Sequence, residues 1–210
     1  MRITKGIVAT AMLGAALLAA PRARATPGTF TGSFVNATSH NLDAASAVFS
    51  LSGTTLQIVL TNTSTFGAYQ NPDVLSGLLF DITGTPTLTP ISATASGLIT
   101  PPSTTVSGPT NVDSGWGFVA SPTGFAYTGA TGCSTGKVTT GAYGVAAAGY
   151  SCLSPNFPKS NFGSGNGTNL GGLGYSIVGS AFASISGNAS PLAENSVTFD
   201  FGVPQNSMTL

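Results

Sequence analysis

Beyond the first 25 residues, hydrophobic and polar positions alternate in short runs, with no sustained helical period. Residues Gly28 to Val35 alternate, with Phe30 and Phe34 as inward positions. Ala45 to Ser52 puts Ala47, Phe49 and Leu51 on one face, and Thr54 to Thr61 puts Leu56, Ile58 and Leu60 on one face. A period of two is the signature of a strand with one buried face. Ser52-Gly53 between the last two runs predicts a hairpin. Val74 to Ile82 is nearly continuous in apolar residues, as expected of a central strand covered on both faces. Thr85 to Ser96 alternates around Leu88 and Ile91, and Pro86 and Pro90 predict an edge strand there.

The second half is less regular. Trp116 to Ala120, Gly124 to Thr128, Gly174 to Val178, Ala181 to Ile185 and Ser196 to Phe201 are short strand candidates. Ser154 to Gly174 is rich in Gly, Ser and Asn and reads as a long surface loop. Val145 to Ala148, flanked by Gly144 and Gly149, is too short to be a helix. Many short strands with frequent turn signals predict an all-β fold: one antiparallel β-sandwich, jelly-roll-like, with long Gly/Ser-rich loops. A β-solenoid is the alternative, but no fixed-period repeat supports it.

The N-terminus changes the picture of charge. Arg2 and Lys5 precede an apolar run from Gly6 to Ala20, and Ala23-Arg24-Ala25 closes it. A basic start, a short apolar core and a small-residue end describe a secretory signal peptide. The run is too short for a comfortable membrane span. We therefore expect residues 1–25 to be a signal peptide and 26–210 to be one β-domain without a membrane span. The whole chain has 6 Lys+Arg and 6 Asp+Glu. Cleavage after Ala25 removes four of the cations and leaves Lys137 and Lys159 against six acids, a net charge of −4. A basic footprint for nucleic acid is absent, so nucleic acid is excluded as a partner.

Composition also restricts the chemistry. Charged residues are 6%, while 54 of 210 residues are Ser or Thr. A Ser-His-Asp triad would have to use His40, the only histidine, which lies in a polar connector. Glycoside hydrolysis would need two of Asp43, Asp73, Asp81, Asp113, Glu194 and Asp200 to converge in a cleft. No catalytic residue is assigned and no cofactor is expected. Asp73 and Asp81 are weak calcium candidates, set against the simpler reading of turn and strand-end residues. Cys133 and Cys152 form the only cysteine pair, and in an exported chain an even count predicts a disulfide closing a Gly/Ala/Thr-rich loop. Trp116, Tyr127, Tyr143, Tyr150 and Tyr175 could stack on sugar rings if exposed; otherwise they pack the core.

Longer blocks carry a resemblance. Leu60-Thr61-Asn62-Thr63-Ser64, Asp73 to Ile82, Thr85 to Ala93, Gly115-Trp116-Gly117-Phe118 and the closing Val197-Thr198-Phe199-Asp200-Phe201 together resemble exosortase-dependent, PEP-CTERM-type bacterial surface proteins. The resemblance implies export from a Gram-negative, polysaccharide-producing bacterium to the cell surface, the medium or the biofilm matrix. It implies no catalytic residues. The Pro-Glu-Pro sorting tail of such proteins is not in this chain, which runs from Gly202 through Pro204 to Leu210. Either the tail lies beyond Leu210 or this member is simply secreted. The expectation is a secreted or cell-surface, non-enzymatic protein associated with extracellular polysaccharide, with self-association as a further candidate interaction. The alternatives are a carbohydrate-binding module with a defined glycan site and a secreted glycoside hydrolase.

Overall fold

The structure is a computed structural model that describes residues 26–36, 39–69, 73–100, 104–120, 143–147, 160–163, 174–185 and 191–204. Residues 1–25, the Gly124–Thr128 strand candidate, both cysteines, Tyr127 and Tyr150 lie outside them.

The described residues form an all-β, sandwich-like, mostly antiparallel fold. Its first strands are β1 (Gly28–Val35), β2 (Leu42–Ser52), β3 (Thr55–Asn62), β4 (Ala68–Tyr69), β5 (Gly77–Phe80), β6 (Thr89–Thr100) and β7 (Thr104–Asn111). A 3-10 turn, Asp113–Gly115, precedes β8 (Trp116–Ala120). The rest are β9 (Tyr143–Ala147), β10 (Ile177–Val178), β11 (Ser184–Ile185), β12 (Leu192–Glu194) and β13 (Ser196–Gly202).

The large sheet runs β1-β2-β3-β13-β6, and β7 closes the far edge of β6. β12 precedes β13 along β6, and β10 lies parallel to β12. Asn195, between β12 and β13, has a φ of 67°, a left-handed conformation that Asn tolerates better than most residues. A three-stranded sheet, β5-β9-β8, forms the second layer, and β4 pairs with β11 in a small parallel ribbon.

The core lies between the two larger sheets. Alternation in β3 buries Leu56, Ile58 and Leu60, and alternation in β13 buries Val197, Phe199 and Phe201. Against them the small sheet sets Phe80, Trp116, Phe118, Tyr143 and Val145. Ring pairs stitch the layers together: Trp116–Phe199 at 4.9 Å, Phe118–Phe201 at 4.8 Å and Phe49–Phe80 at 5.5 Å between centroids. Phe162, from a connecting segment, packs on both Phe199 and Phe201. The outer face of the large sheet carries the polar half of the same alternation. There Asp200 accepts hydrogen bonds from Gln57 (3.0 Å) and Ser92 (3.1 Å) on the flanking strands.

The hairpin at Ser52-Gly53 joins β2 and β3 as the sequence indicates, with Gly53 at a φ of 62°. Two expectations are corrected. The apolar run Val74–Ile82 is not a central strand: only Gly77–Phe80 is extended, at the edge of the small sheet, and Leu78 and Leu79 are half-buried. Its hydrophobicity is divided between the sandwich core and a second cluster of Val74, Ile99, Val178 and Leu192. Conversely, β6 is not an edge strand, since it pairs on both sides. Pro90 is tolerated because the ladder to β13 shifts register there and β7 pairs only from Thr94 onward.

Tight backbone approaches fix the second layer. A Cβ on Gly115 would lie 2.1 Å from Cδ2 of Tyr175. We expect Gly115→Ala to lower stability by about 1–3 kcal/mol, the usual cost of overpacking, measured by urea unfolding. The free edge of β8 is covered by the amide of Asn161, which accepts from the Phe118 N–H (2.7 Å) and donates to the Phe118 carbonyl (2.7 Å).

Candidate binding groove

β1 extends the large sheet by one strand beyond the reach of the small sheet. Its inward side chains are paired in register with the inner face of β2: Phe30 with Ala47, Gly32 with Ala45 and Phe34 with Asp43. Phe30 and Phe34 therefore point inward as the alternation requires, yet they are 64% and 62% exposed. Among the described residues no strand of the second layer lies over them; β5, whose Phe80 meets Phe49, is the edge strand on that side. Two open clefts are lined by residues of β1. One, of about 430 Å³, lies between Phe30, Ala47 and Phe49 on one side and Leu78, Leu79 and Phe80 on the other, with Asp81 and Thr83 at its mouth. The other, of about 380 Å³, lies between Phe34 and Leu75 and ends on Asp43, Asn62, Ser64 and Asp73. Together the two clefts take lining residues of β1 from Gly28 to Phe34, a stretch of about 20 Å of strand, and are called the groove below. Phe30 also rests edge-on against Phe49, with centroids 5.6 Å apart.

The polar end is ordered by side chains. Asn36 donates through Nδ2 to Oδ2 of Asp43 (3.1 Å) and accepts from the Ser39 N–H (3.3 Å). Ser39 donates through Oγ to Asp73, and Asn41 donates through Nδ2 to Oδ2 of Asp73 (3.0 Å). These bonds tie the β1–β2 connection, where His40 has a φ of 60°, to the segment before β5. Asp43 and Asp73 are 7% and 2% exposed. The Oδ1 atom of Asp43 is buried without a hydrogen-bond partner.

Burial raises the Asp43 carboxyl above its ordinary value; the Asn36 hydrogen bond opposes this and the nearby Asp73 charge adds to it. A raised carboxyl favours the folded state when protonated. Its contribution is thus fully present below the unfolded value of about 3.9 and is lost as pH climbs through the folded one. The thermal stability of Asp43→Asn relative to wild type should rise as pH climbs above about 4. A constant difference across that range would contradict the assignment.

The sugar-stacking candidates fare differently. Trp116 is 0% exposed against Phe199, and Tyr143 is buried between Phe80 and Phe118 with its hydroxyl donating to the Pro86 carbonyl (2.6 Å). Neither presents a ring to solvent, so both are core residues. Tyr175 is half-buried, with a φ of 63°, against the Gly115 turn. Among the described residues the exposed rings are Phe30 and Phe34. Their signal was in the sequence as the alternation of β1, but periodicity shows which face a residue takes and not whether that face is covered.

The calcium candidates are separated: Asp73 lies at the polar end, and Asp81 at the mouth of the other cleft. Instead Asp73 meets Asp43, a pairing that no sequence spacing suggested. Among the described residues no three of His, Cys, Asp and Glu gather as metal ligands. Asp43 and Asp73 share a cleft, as hydrolysis would require, but Asp73 is held on both oxygens by Ser39 and Asn41. Asp113 is likewise structural, accepting from the Ala93 N–H (2.6 Å) and from Asn111 (2.8 Å). Gly132-Cys133-Ser134-Thr135-Gly136 has the Gly-x-Ser-x-Gly spacing of a nucleophile elbow, and it lies outside the described residues. Among those residues no helix is long and apolar enough to cross a membrane. Comparison with protein-family models, curated proteins and solved structures finds no match for this chain.

Proposed function

We propose that this is a secreted or cell-surface, non-enzymatic protein that associates with extracellular polysaccharide in a biofilm matrix. The observation that carries the reading is the groove beneath β1, where exposed Phe30 and Phe34 flank an apolar floor and polar groups close both ends. An extended glycan offers apolar C–H faces to such rings and hydroxyls to such carboxylates and amides, the mixture found in small-molecule and sugar sites. The signal-peptide pattern of residues 1–25 and the PEP-CTERM resemblance support export to the place where that polymer lies. The glycan site is assigned to the groove, in place of the Trp116 and Tyr143 rings. Fractionation of the producing cells should find the chain outside the inner membrane with Thr26 at its N-terminus, and deletion of its gene should alter matrix composition or cell aggregation. Retention of Met1 in the cytoplasm, or an unaltered matrix, would remove the reading.

A second reading, self-association, is favoured by one observation. Among the described residues β1 pairs only with β2, and its free edge carries no charge or proline to block a further strand. Sedimentation should then show a concentration-dependent dimer that Thr31→Lys weakens; a monomer at every concentration would end this reading.

A further inference from the structure

We propose that two copies of this chain pair through β1 in one register, with Gly32 facing its own counterpart on a two-fold axis. The proposal rests on the self-association reading and adds the contact that carries it. The ladder fixes which backbone groups are free. In an antiparallel sheet successive residues of a strand turn their N–H and carbonyl to opposite sides. Just past β1 the Asn36 N–H donates to the Asn41 carbonyl (2.9 Å), in line with the β1–β2 ladder, so the even-numbered residues of β1 bond toward β2. The far side of β2 agrees. The Ala44 carbonyl accepts from the Thr63 N–H (2.9 Å), toward β3, which leaves Ala45 and Ala47 to bond Gly32 and Phe30. Thr29, Thr31, Ser33 and Val35 therefore direct their N–H and carbonyl groups to the outer edge. Among the described residues nothing pairs with that edge.

The edge is complementary to itself. With the axis at Gly32, Thr29 of one copy meets Val35 of the other and Thr31 meets Ser33, so every outward N–H and carbonyl of β1 finds a partner. Centring on Thr31 instead would set Val35 against Pro27, which has no N–H, and centring on Ser33 would carry Thr29 past the end of β1. The same register puts Phe30 of each copy beside Phe34 of the other, in non-hydrogen-bonded pairs, where side chains come closest. Phe30, Phe34 and Val35, 64%, 62% and 65% exposed in the single chain, are then covered from the side. Gly32 has no such reason to be glycine within one chain, since a Cβ there meets nothing within 4 Å. On the axis it lies between the ring pairs, where the two strands approach most closely. β1 carries no charge, so no like charges meet across the axis. The opposite edge of the sheet is guarded: β7 contains Pro109 and Gly108 with a φ of 95°, and its ladder to β6 shifts register. Pairing thus closes as a dimer and does not propagate. Burial on the order of 1,000 Å² in total lies at the low end of specific interfaces and fits a weak, concentration-dependent dimer. The four phenylalanines form one apolar floor that joins the grooves of the two copies.

The test is sedimentation of the wild-type mature chain, residues 26–210, together with oxidative cross-linking of Gly32→Cys and, as control, of Val106→Cys on β7, read on non-reducing gels. A non-hydrogen-bonded pair sets Cα atoms about 4.5 Å apart, within the span of a disulfide. We expect wild type to dimerise with concentration, and Gly32→Cys to form a disulfide-linked dimer at least tenfold faster than Val106→Cys or wild type. Mixed Thr31→Cys and Ser33→Cys chains, which the register also sets opposite each other, give the same reading if Gly32→Cys fails to fold. A wild type that stays monomeric at every concentration would end the self-association reading and this register with it. A dimeric wild type whose β1 cysteines cross-link no faster than Val106→Cys would overturn the register alone.

Discussion

Replacing Trp116 with alanine should destabilise the domain by about 3–5 kcal/mol, the usual cost of removing a large buried aromatic. The ring is fully buried and meets Phe199 edge-on at 4.9 Å, on the seam between β8 and β13. Its removal opens a cavity where the two layers meet, and the neighbouring strands cannot close it without breaking their own ladders. Against a total stability of about 5–15 kcal/mol, this loss is a large fraction. The melting temperature should fall on the order of 10 °C. Trp116→Phe should cost much less, since the Nε1–H it removes is buried without a hydrogen-bond partner. Chemical denaturation of the three proteins checks this, and a Trp116→Ala protein as stable as wild type would contradict the core placement.

Asp113→Ala should cost about 2–3 kcal/mol, because it strands a buried donor. In the middle of the large sheet β7 pairs with β6 only from Thr94 onward, so Ala93 lies just past its reach. Oδ1 of Asp113 takes the Ala93 N–H at 2.6 Å in place of a strand carbonyl, and Oδ2 takes the Asn111 amide at 2.8 Å. Ala93 itself is fully buried, so water cannot replace the lost acceptor. Asp113→Asn keeps one acceptor for Ala93 but sets an amide donor against Asn111, so an intermediate loss is expected. Equal stability of all three in urea titrations would show that the carboxylate does not serve the ladder.

Strand existence was legible where apolar and polar positions alternate. Gly28–Val35 and Trp116–Ala120 carry the bounds read from alternation, and β3 and β13 differ from theirs by one residue at a time. β7, with Thr, Ser, Gly and Pro along an exposed edge, has no apolar period to announce it. The Val74–Ile82 run misled because continuous hydrophobicity records burial, and burial here is divided between two clusters. Pro90 misled because a proline is excluded by a ladder bond, not by a strand, and a register shift removes the conflict. The groove was not legible at all. Phe30 and Phe34 have the pattern of core residues, and only the short reach of the second layer leaves them bare. Likewise Asp43 and Asp73 stand thirty positions apart, and a fold is needed to put them in one cleft.

The central claim is that the face of β1 turned toward β5 receives polysaccharide. Its most direct measurement is binding of the mature chain to extracellular polysaccharide from the bacterium that makes it, compared with the Phe30→Ala/Phe34→Ala variant and with Val106→Ala on β7 as control. Both phenylalanines are mostly exposed, so the double variant should fold and melt close to wild type. The account predicts that wild type and Val106→Ala sediment with the polymer, while the double variant binds at least tenfold more weakly. Undiminished binding by a folded double variant, or no binding by wild type, would contradict it.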